Sequence, residues 1–213
     1  FDVHILQRSN ARHAYSPAVL QHAVSRIKDF DDTQCTALID TILAGLPGSE
    51  ESYDLDRFRD QIARYDALSA DRLRYNLARF LARVIPQIAG QGVKLALHPD
   101  DPPRPIFGLP RVVSTARDLR AICAMNENSA NGLTFCAGSL GVRPDNDLSA
   151  ILLEFGARVH FLHLRNTRRD TLLPDGAELP DGADGESFEE AAHLDGDADL
   201  ARLVSLILRL EQS

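Results

Sequence analysis

Val93-Lys94-Leu95-Ala96-Leu97-His98, Leu133-Thr134-Phe135-Cys136 and Val159-His160-Phe161-Leu162-His163 are three short apolar runs, each closing on a side chain able to bind a metal ion. His98 and Cys136 stand 38 residues apart, and Cys136 and His163 stand 27 apart. One β-α unit takes roughly 30 residues, so each interval has room for a strand, a helix and their loops. Parallel neighbours built this way end at one edge of the sheet, the carboxyl end where α/β folds and barrels keep their sites. Alternation along the strands agrees, since Ala96 shares a face with His98, Thr134 with Cys136 and Phe161 with His163.

Taken singly, a strand cysteine is ordinarily a small core residue, and a histidine at a strand end is ordinarily structural. Three such residues, each last in its strand and one unit apart, point to a shared metal ion at His98, Cys136 and His163. Two imidazoles and a thiolate suit Zn, Fe or Mn. The other histidines fit this pattern less well. His4, His13 and His22 are read as surface or satisfied core residues, and His160, opposite in parity to His163, is expected to face the helix layer. His193 is left between lining a site and capping a loop.

The loops after the three strands supply candidate substrate contacts. His98 is followed by Pro-Asp-Asp-Pro-Pro-Arg-Pro, whose prolines stiffen the backbone and would hold Asp100, Asp101 and Arg104 over the site. Cys136 leads into Ala-Gly-Ser-Leu-Gly-Val-Arg, a Gly-Ser loop offering Ser139 and Arg143. Arg165 and Asn166 lie just beyond His163. Arginine can grip a carboxylate with two parallel hydrogen bonds; the competing role for each is a surface ion pair. A metal ion with Arg104, Ser139, Arg165 and Asn166 around it suits a polyhydroxy acid. No residue stands out as general acid or base.

Elsewhere, Phe1 to Leu6 reads as a short strand or packed segment, and residues 7–16 as a polar loop. A helix is expected from Ser16-Pro17 to about Ala44, with Ser16 as N-cap and Pro17 at N1. Leu46 to Ser52 reads as a turn-rich connection, and further helices are expected over Asp54–Tyr65 and Asp71–Ala89. In the last of these, Leu73, Leu77, Phe80, Leu81, Val84 and Ile88 fall on one face. Then strand and helix alternate: strand 93–98, helix 115–125, strand 132–136, helix 146–155, strand 158–164. Residues 171–187, with Leu-Pro-Asp-Gly twice, read as an exposed turn or loop, and Asp199 to Leu210 as a closing helix. Such alternation predicts a parallel sheet. Three strands are too few for a closed eight-stranded barrel, which leaves part of a barrel or a small open sheet, and the sequence favours the first. The fold class expected is α/β, part of a TIM (β/α)8 barrel with a mostly helical amino-terminal half. The expected organisation is one partial barrel domain over 1–213, with a helical segment at 16–90 and β/α units at 93–213.

The chain has 213 residues, 44% of them hydrophobic and 25% charged, and a net charge of −8. That balance speaks against nucleic-acid and anionic-membrane partners, which need basic patches. Three cysteines without CxxC spacing fit a reducing cytoplasm. No apolar run reaches the roughly 18 residues of a membrane span, and no signal peptide is visible. The chain opens at Phe1, without a methionine and already inside an apolar stretch, so it is expected to be a piece of something longer.

Lys94-Leu-Ala-Leu-His-Pro-Asp-Asp-Pro-Pro-Arg-Pro-Ile-Phe-Gly-Leu-Pro-Arg-Val-Val-Ser-Thr115 resembles the mannonate dehydratase family, as do Asn131-Gly-Leu-Thr-Phe-Cys-Ala-Gly-Ser-Leu-Gly-Val-Arg-Pro-Asp-Asn-Asp147 and His160-Phe-Leu-His-Leu-Arg-Asn166. The resemblance runs from Phe1 through the terminal helix, and includes Gly45-Leu-Pro-Gly48. It implies a (β/α)8 barrel that dehydrates D-mannonate to 2-dehydro-3-deoxy-D-gluconate in hexuronate (glucuronate) breakdown, with Mn2+ or Fe2+ bound. Carried over, three metal ligands fall on His98, Cys136 and His163. The family's fourth ligand, an Asp followed directly by His in an Arg-Pro-Asp-His-Gly setting, has no counterpart in this sequence. The catalytic residues are therefore left unassigned. Glu189 occupies the variable position of the family's Phe-x-Glu-Ala-Ala-His motif. The resemblance thus implies a small-molecule sugar acid as partner, and a homo-oligomer is compatible with it. Alternatives are a catalytically incompetent barrel fragment and a metal-dependent sugar isomerase or epimerase.

Overall fold

The structure, a computed structural model, describes residues 1–45, 54–170 and 187–212. They form two compact units. One comprises residues 1–68 with 106–109, and the other residues 69–105 with 110–213. The expected turns at Leu46–Ser52 and 171–186 lie outside the described residues.

The first unit is helical from its first residues. Phe1 to Leu6 is neither strand nor extended segment: the Leu6 N–H reaches the Phe1 carbonyl at 2.9 Å, closing a wide π-type turn over Asp2–Leu6. Within residues 7–16, Ala11–Ala14 form a 3-10 turn. The single helix expected from Ser16 to Ala44 is two, α1 (Pro17–Lys28) and α2 (Asp32–Ala44). The break is a capping box in which the Gln34 N–H donates to Asp31 Oδ1 at 2.8 Å and the Asp31 N–H donates to Gln34 Oε1 at 2.9 Å. Such reciprocal bonds satisfy two otherwise orphaned donors and favour a fresh helix start over continuation. Helix α3 (Leu55–Ala63) adds Phe58 and Ile62 to a small core with Leu6 and Leu43. Phe1, Phe58 and Phe107 meet there edge to face or tilted, with ring centroids 5.4–6.4 Å apart. Asp2 is buried and held by Arg8 and by the Tyr15 hydroxyl at 2.8 Å.

The second unit carries the sheet. Helix α4 (Ala70–Ala89) is capped by Ser69. It buries Leu81 and Ile85 completely and packs Leu73, Leu77 and Ile88 against the same core, whereas Phe80 is half exposed. The apolar stripe therefore runs through Ile85, four residues after Leu81, and leaves Phe80 off the stripe. Strands β1 (Leu95–Leu97), β2 (Asn131–Cys136) and β3 (Val159–His163) pair in parallel, in the order β1-β2-β3. Helices α5 (Ala116–Met125), α6 (Ala137–Gly141) and α7 (Leu148–Phe155) connect them. Helix α8 (Leu200–Leu210) closes the unit and packs beside α7. Leu133 and Phe135 point into a core with Leu119, Ile122, Ile151, Leu152, Phe155 and Leu203. Each such side chain contributes about 1.5–3 kcal/mol by leaving water. The alternate positions of β2, Thr134 and Cys136, face the other side.

Asn131 and Arg158 fasten the lower edge of this sheet. The Asn131 amide donates to the Ile122 and Asn126 carbonyls at the end of α5, and Arg158 donates to the Asn126 and Asn131 carbonyls. Between Leu133 and Thr134 the β2–β3 register slips by one. The extra residue is His160, whose ring lies over Gly132, where an added Cβ would run into it. Its Nε2 donates to the Ser129 carbonyl at 2.8 Å. His160 is thus on the Gly132 side of the sheet, not in the helix layer, because the bulge resets the alternation.

An antiparallel pair absent from the sequence reading, β4 (Asn166–Arg169) and β5 (Phe188–Ala191), follows β3. Among the described residues, no helix is long and apolar enough to cross a membrane.

Candidate metal centre

The slipped register brings the ligand-bearing ends level. Cys136 is the direct partner of His163, and Ala96 pairs with Gly132, which leaves His98 just past the end of β1 on the same face. One donor atom from each of His98, Cys136 and His163 lies within 4.8 Å of the others. His163 Nδ1 stands 3.4 Å from Cys136 Sγ and 3.5 Å from His98 Nε2. Two nitrogen ligands about 2.05 Å from a tetrahedral ion lie about 3.4 Å apart, and a nitrogen–sulfur pair about 3.5 Å. The observed spacings match both.

The ring orientations also suit an ion. His98 Nδ1 sits 2.7 Å from the Pro99 carbonyl, which can only accept, so Nδ1 carries the proton and Nε2 keeps its lone pair. Cys136 is fully buried, whereas the two histidines are exposed. The sulfur therefore forms the floor of the cluster and the imidazoles its open side. Softness and charge in this set, one thiolate and two imidazoles, suit a first-row divalent cation.

The region after Cys136 is not an open Gly-Ser loop. Helix α6 starts immediately, with Cys136 itself as N-cap: the Ser139 N–H donates to Sγ at 3.4 Å and the Ser139 hydroxyl at 3.1 Å. Ser139 is completely buried. It touches the sulfur, not the solvent side where a substrate would lie. Asn166 is likewise displaced from the substrate position expected for it. It is 2% exposed, and its amide donates to the His193 and Ala198 carbonyls at 2.8 Å each. Its Oδ1 accepts from the Thr167 and Ala198 N–H groups, both at 3.0 Å. All its hydrogen-bonding capacity is taken up in tying β4 to residues 193–198.

Arg165 remains beside the cluster. Its guanidinium donates to Asp101 and pairs with Glu190 at 2.8 Å, and its stem lies against Gly138, where a Cβ would come within 2.8 Å. Burial alone would lower its pKa, but the Asp101 hydrogen bond and the charges of Asp101, Glu190 and Cys136 outweigh it and push the value up. The two carboxylates were not singled out as its partners beforehand. Asp101 and Glu190 are 89 residues apart in sequence, and only the β4–β5 pairing brings Glu190 across.

Other expected neighbours turn aside. Asp100 accepts from the Val113 N–H at 2.7 Å and the Ser114 hydroxyl at 2.9 Å, bracing the Pro-rich loop. Arg143 forms a two-pronged pair with Asp145 at 2.9 and 2.6 Å, which holds that carboxyl below its usual range. Arg104 is half-buried on the same Pro-rich loop, its N–H donating to the Pro102 carbonyl at 2.9 Å. His193 is exposed and stands outside the converging group. A cleft of about 620 Å3 beside β3, lined by Leu153, Phe161, Leu162 and Leu210 among others, contains none of the three ligands.

Comparison with known proteins bears on this site. The family profile described as D-mannonate dehydratase (UxuA) matches residues 12–212. A mannonate dehydratase of Chromohalobacter salexigens is 44% identical over 212 residues, 100% of this chain and 51% of that protein. One of Saccharophagus degradans is 46% identical over 208 residues, 98% of this chain and 49% of that protein. The chain thus spans about half the length of the curated relatives it matches. Among solved structures, the mannonate dehydratase of Streptococcus suis serotype 2 superposes with a TM-score of 0.58 at 34% identity, covering 67% of this chain and 38% of that one. With a profile match over nearly its whole length, and relatives 44–46% identical along 98–100% of it, the chain belongs to the D-mannonate dehydratase (UxuA) family.

Proposed function

We propose that this chain carries three metal ligands, His98, Cys136 and His163, of a lyase that dehydrates D-mannonate to 2-dehydro-3-deoxy-D-gluconate in hexuronate catabolism. The observation that carries the reading is the convergence of their donor atoms within 4.8 Å in a chain of this family. The three would hold a divalent ion, Mn2+ or Fe2+, which when bound supplies Lewis acidity toward the carboxylate and hydroxyl oxygens of a sugar acid. Arg165 and Arg104 are the groups proposed to grip that acid. Asp101 and Glu190 orient the Arg165 guanidinium from two directions, which restricts it to one approach and favours a fixed carboxylate pose. Ser139 and Asn166 act one layer out, on the sulfur and on the β4 connection.

The parallel order β1-β2-β3, with a ligand at each strand end, supports placing the chain in part of a (β/α)8 barrel. One partial barrel domain over 1–213 goes with that reading. A cytoplasmic setting follows from the cysteine usage, and self-association belongs to the same proposal. The test is metal-dependent formation of 2-dehydro-3-deoxy-D-gluconate from D-mannonate by the protein expressed from its full reading frame. Product is expected with Mn2+ or Fe2+, with loss of turnover in a folded Cys136→Ala variant. Turnover of a keto-sugar in place of mannonate, or turnover indifferent to that variant, refutes the reading.

A further inference from the structure

The Ser139 hydroxyl lies directly against the cluster yet grips neither metal nor substrate. We infer that Ser139 is a positioning residue that sets the direction and donor strength of the Cys136 sulfur, and so tunes the metal bound there. The inference rests on the metal reading above.

Three observations point to this role. Ser139 and Cys136 are both fully buried, so water does not compete for either partner. Both donors of Ser139, main-chain N–H and hydroxyl, converge on the same sulfur at 3.4 and 3.1 Å. His163 Nδ1 approaches that sulfur at 3.4 Å and belongs to the next strand rather than to α6. A cysteine sulfur carries few lone-pair directions. With two of them engaged by Ser139, the remaining electron density is aimed at the histidine side of the cluster.

A hydrogen bond to a thiolate also withdraws electron density from it. The sulfur then binds a cation less covalently, and the bound cation keeps more of its Lewis acidity. Residues that orient a metal ligand in this way commonly account for about 10–100-fold in metal affinity. The main-chain N–H bond is independent of the side chain at 139 for every residue but proline, so the hydroxyl is the separable part. Ser139→Ala removes that one oxygen from a short helix whose start is still capped by Cys136.

The experiment is a Co2+ titration of the purified full chain and of its Ser139→Ala form, with folding followed by far-ultraviolet circular dichroism. Ser139→Gly gives the same comparison should alanine disturb α6. The thiolate-to-cobalt charge-transfer band is read together with the dissociation constant, and Cys136→Ser identifies the band. The expected result is a band displaced to longer wavelength, because the freed sulfur is a stronger donor, with binding about tenfold weaker because the sulfur is no longer held in direction. A band displaced to longer wavelength at unchanged affinity also supports the contact, because a residue that only packs would not alter the sulfur's orbital energy, whereas a shift to shorter wavelength overturns it. An unmoved band overturns the inference whether or not affinity changes, while leaving the metal reading intact. A parent chain that shows no cobalt–thiolate band removes the metal reading, and this inference with it.

Discussion

Asn166→Asp separates a substrate contact from a structural one. The substitution preserves shape and keeps the Oδ1 acceptor for the Thr167 and Ala198 N–H groups. It replaces the two amide donors with an oxygen facing the His193 and Ala198 carbonyls, each 2.8 Å away in the parent. Two lost hydrogen bonds remove about 1 kcal/mol each, and a buried carbonyl left opposite a carboxylate costs about 1–3 kcal/mol more. With Asn166 only 2% exposed, water does little to relieve this, and the sum is about 3–5 kcal/mol. That is a large share of the roughly 5–15 kcal/mol by which a domain is stable. Urea unfolding followed by circular dichroism reads the total, and hydrogen exchange reads the protection of the Thr167 and Ala198 amides. A loss below about 1 kcal/mol, the scale of one hydrogen bond, with those amides still protected, would refute the structural account. Weakened mannonate binding at unchanged stability would return Asn166 to the substrate.

Gly132→Ala should destabilise the chain by about 1–3 kcal/mol through overpacking, since a Cβ there meets the His160 ring and stands 2.5 Å from the Arg158 carbonyl. Thermal unfolding measures it, and pairing with His160→Ala should restore part of the loss but not the backbone conflict. Asp118 links α4 to the start of α5. Burial alone would raise its pKa, yet hydrogen bonds from Arg74, Thr115 and the Ser114 N–H lower it overall. A carboxyl depressed in the folded state stabilises above its unfolded pKa, and that contribution is lost as pH falls through the folded value. The stability gap between the parent and Asp118→Asn should therefore shrink between about pH 7 and about pH 3 in denaturant titrations, and a constant gap would contradict the assignment.

Much of the site was legible in the sequence because it depends on local regularity. Strand ends, the interval of one β-α unit and alternation along the strand together select His98, Cys136 and His163, and these are the three residues whose donor atoms converge. The remainder depended on events that a periodic reading does not contain. The one-residue slip between Leu133 and Thr134 reversed the side taken by His160. The Asp31–Gln34 capping box, readable in retrospect from its Asp-x-x-Gln spacing, divided the long helix in two.

By itself, the sequence determined the alternating β/α order and the three metal-ligand candidates, which follow from short-range spacing and residue chemistry, and its motifs carried the resemblance to the family. Only the tertiary structure decided how the polar residues around them are used. Ser139 and Asn166 look like ligand-binding groups in a loop, but burial leaves them no solvent partner, so their hydrogen bonds must close within the protein. Arg165 was placed near the site by its position after His163, yet its two carboxylates come from distant segments. Those pairings are decided by which chain segments the fold brings within reach, and that information is spread over the whole sequence rather than held in any one stretch of it.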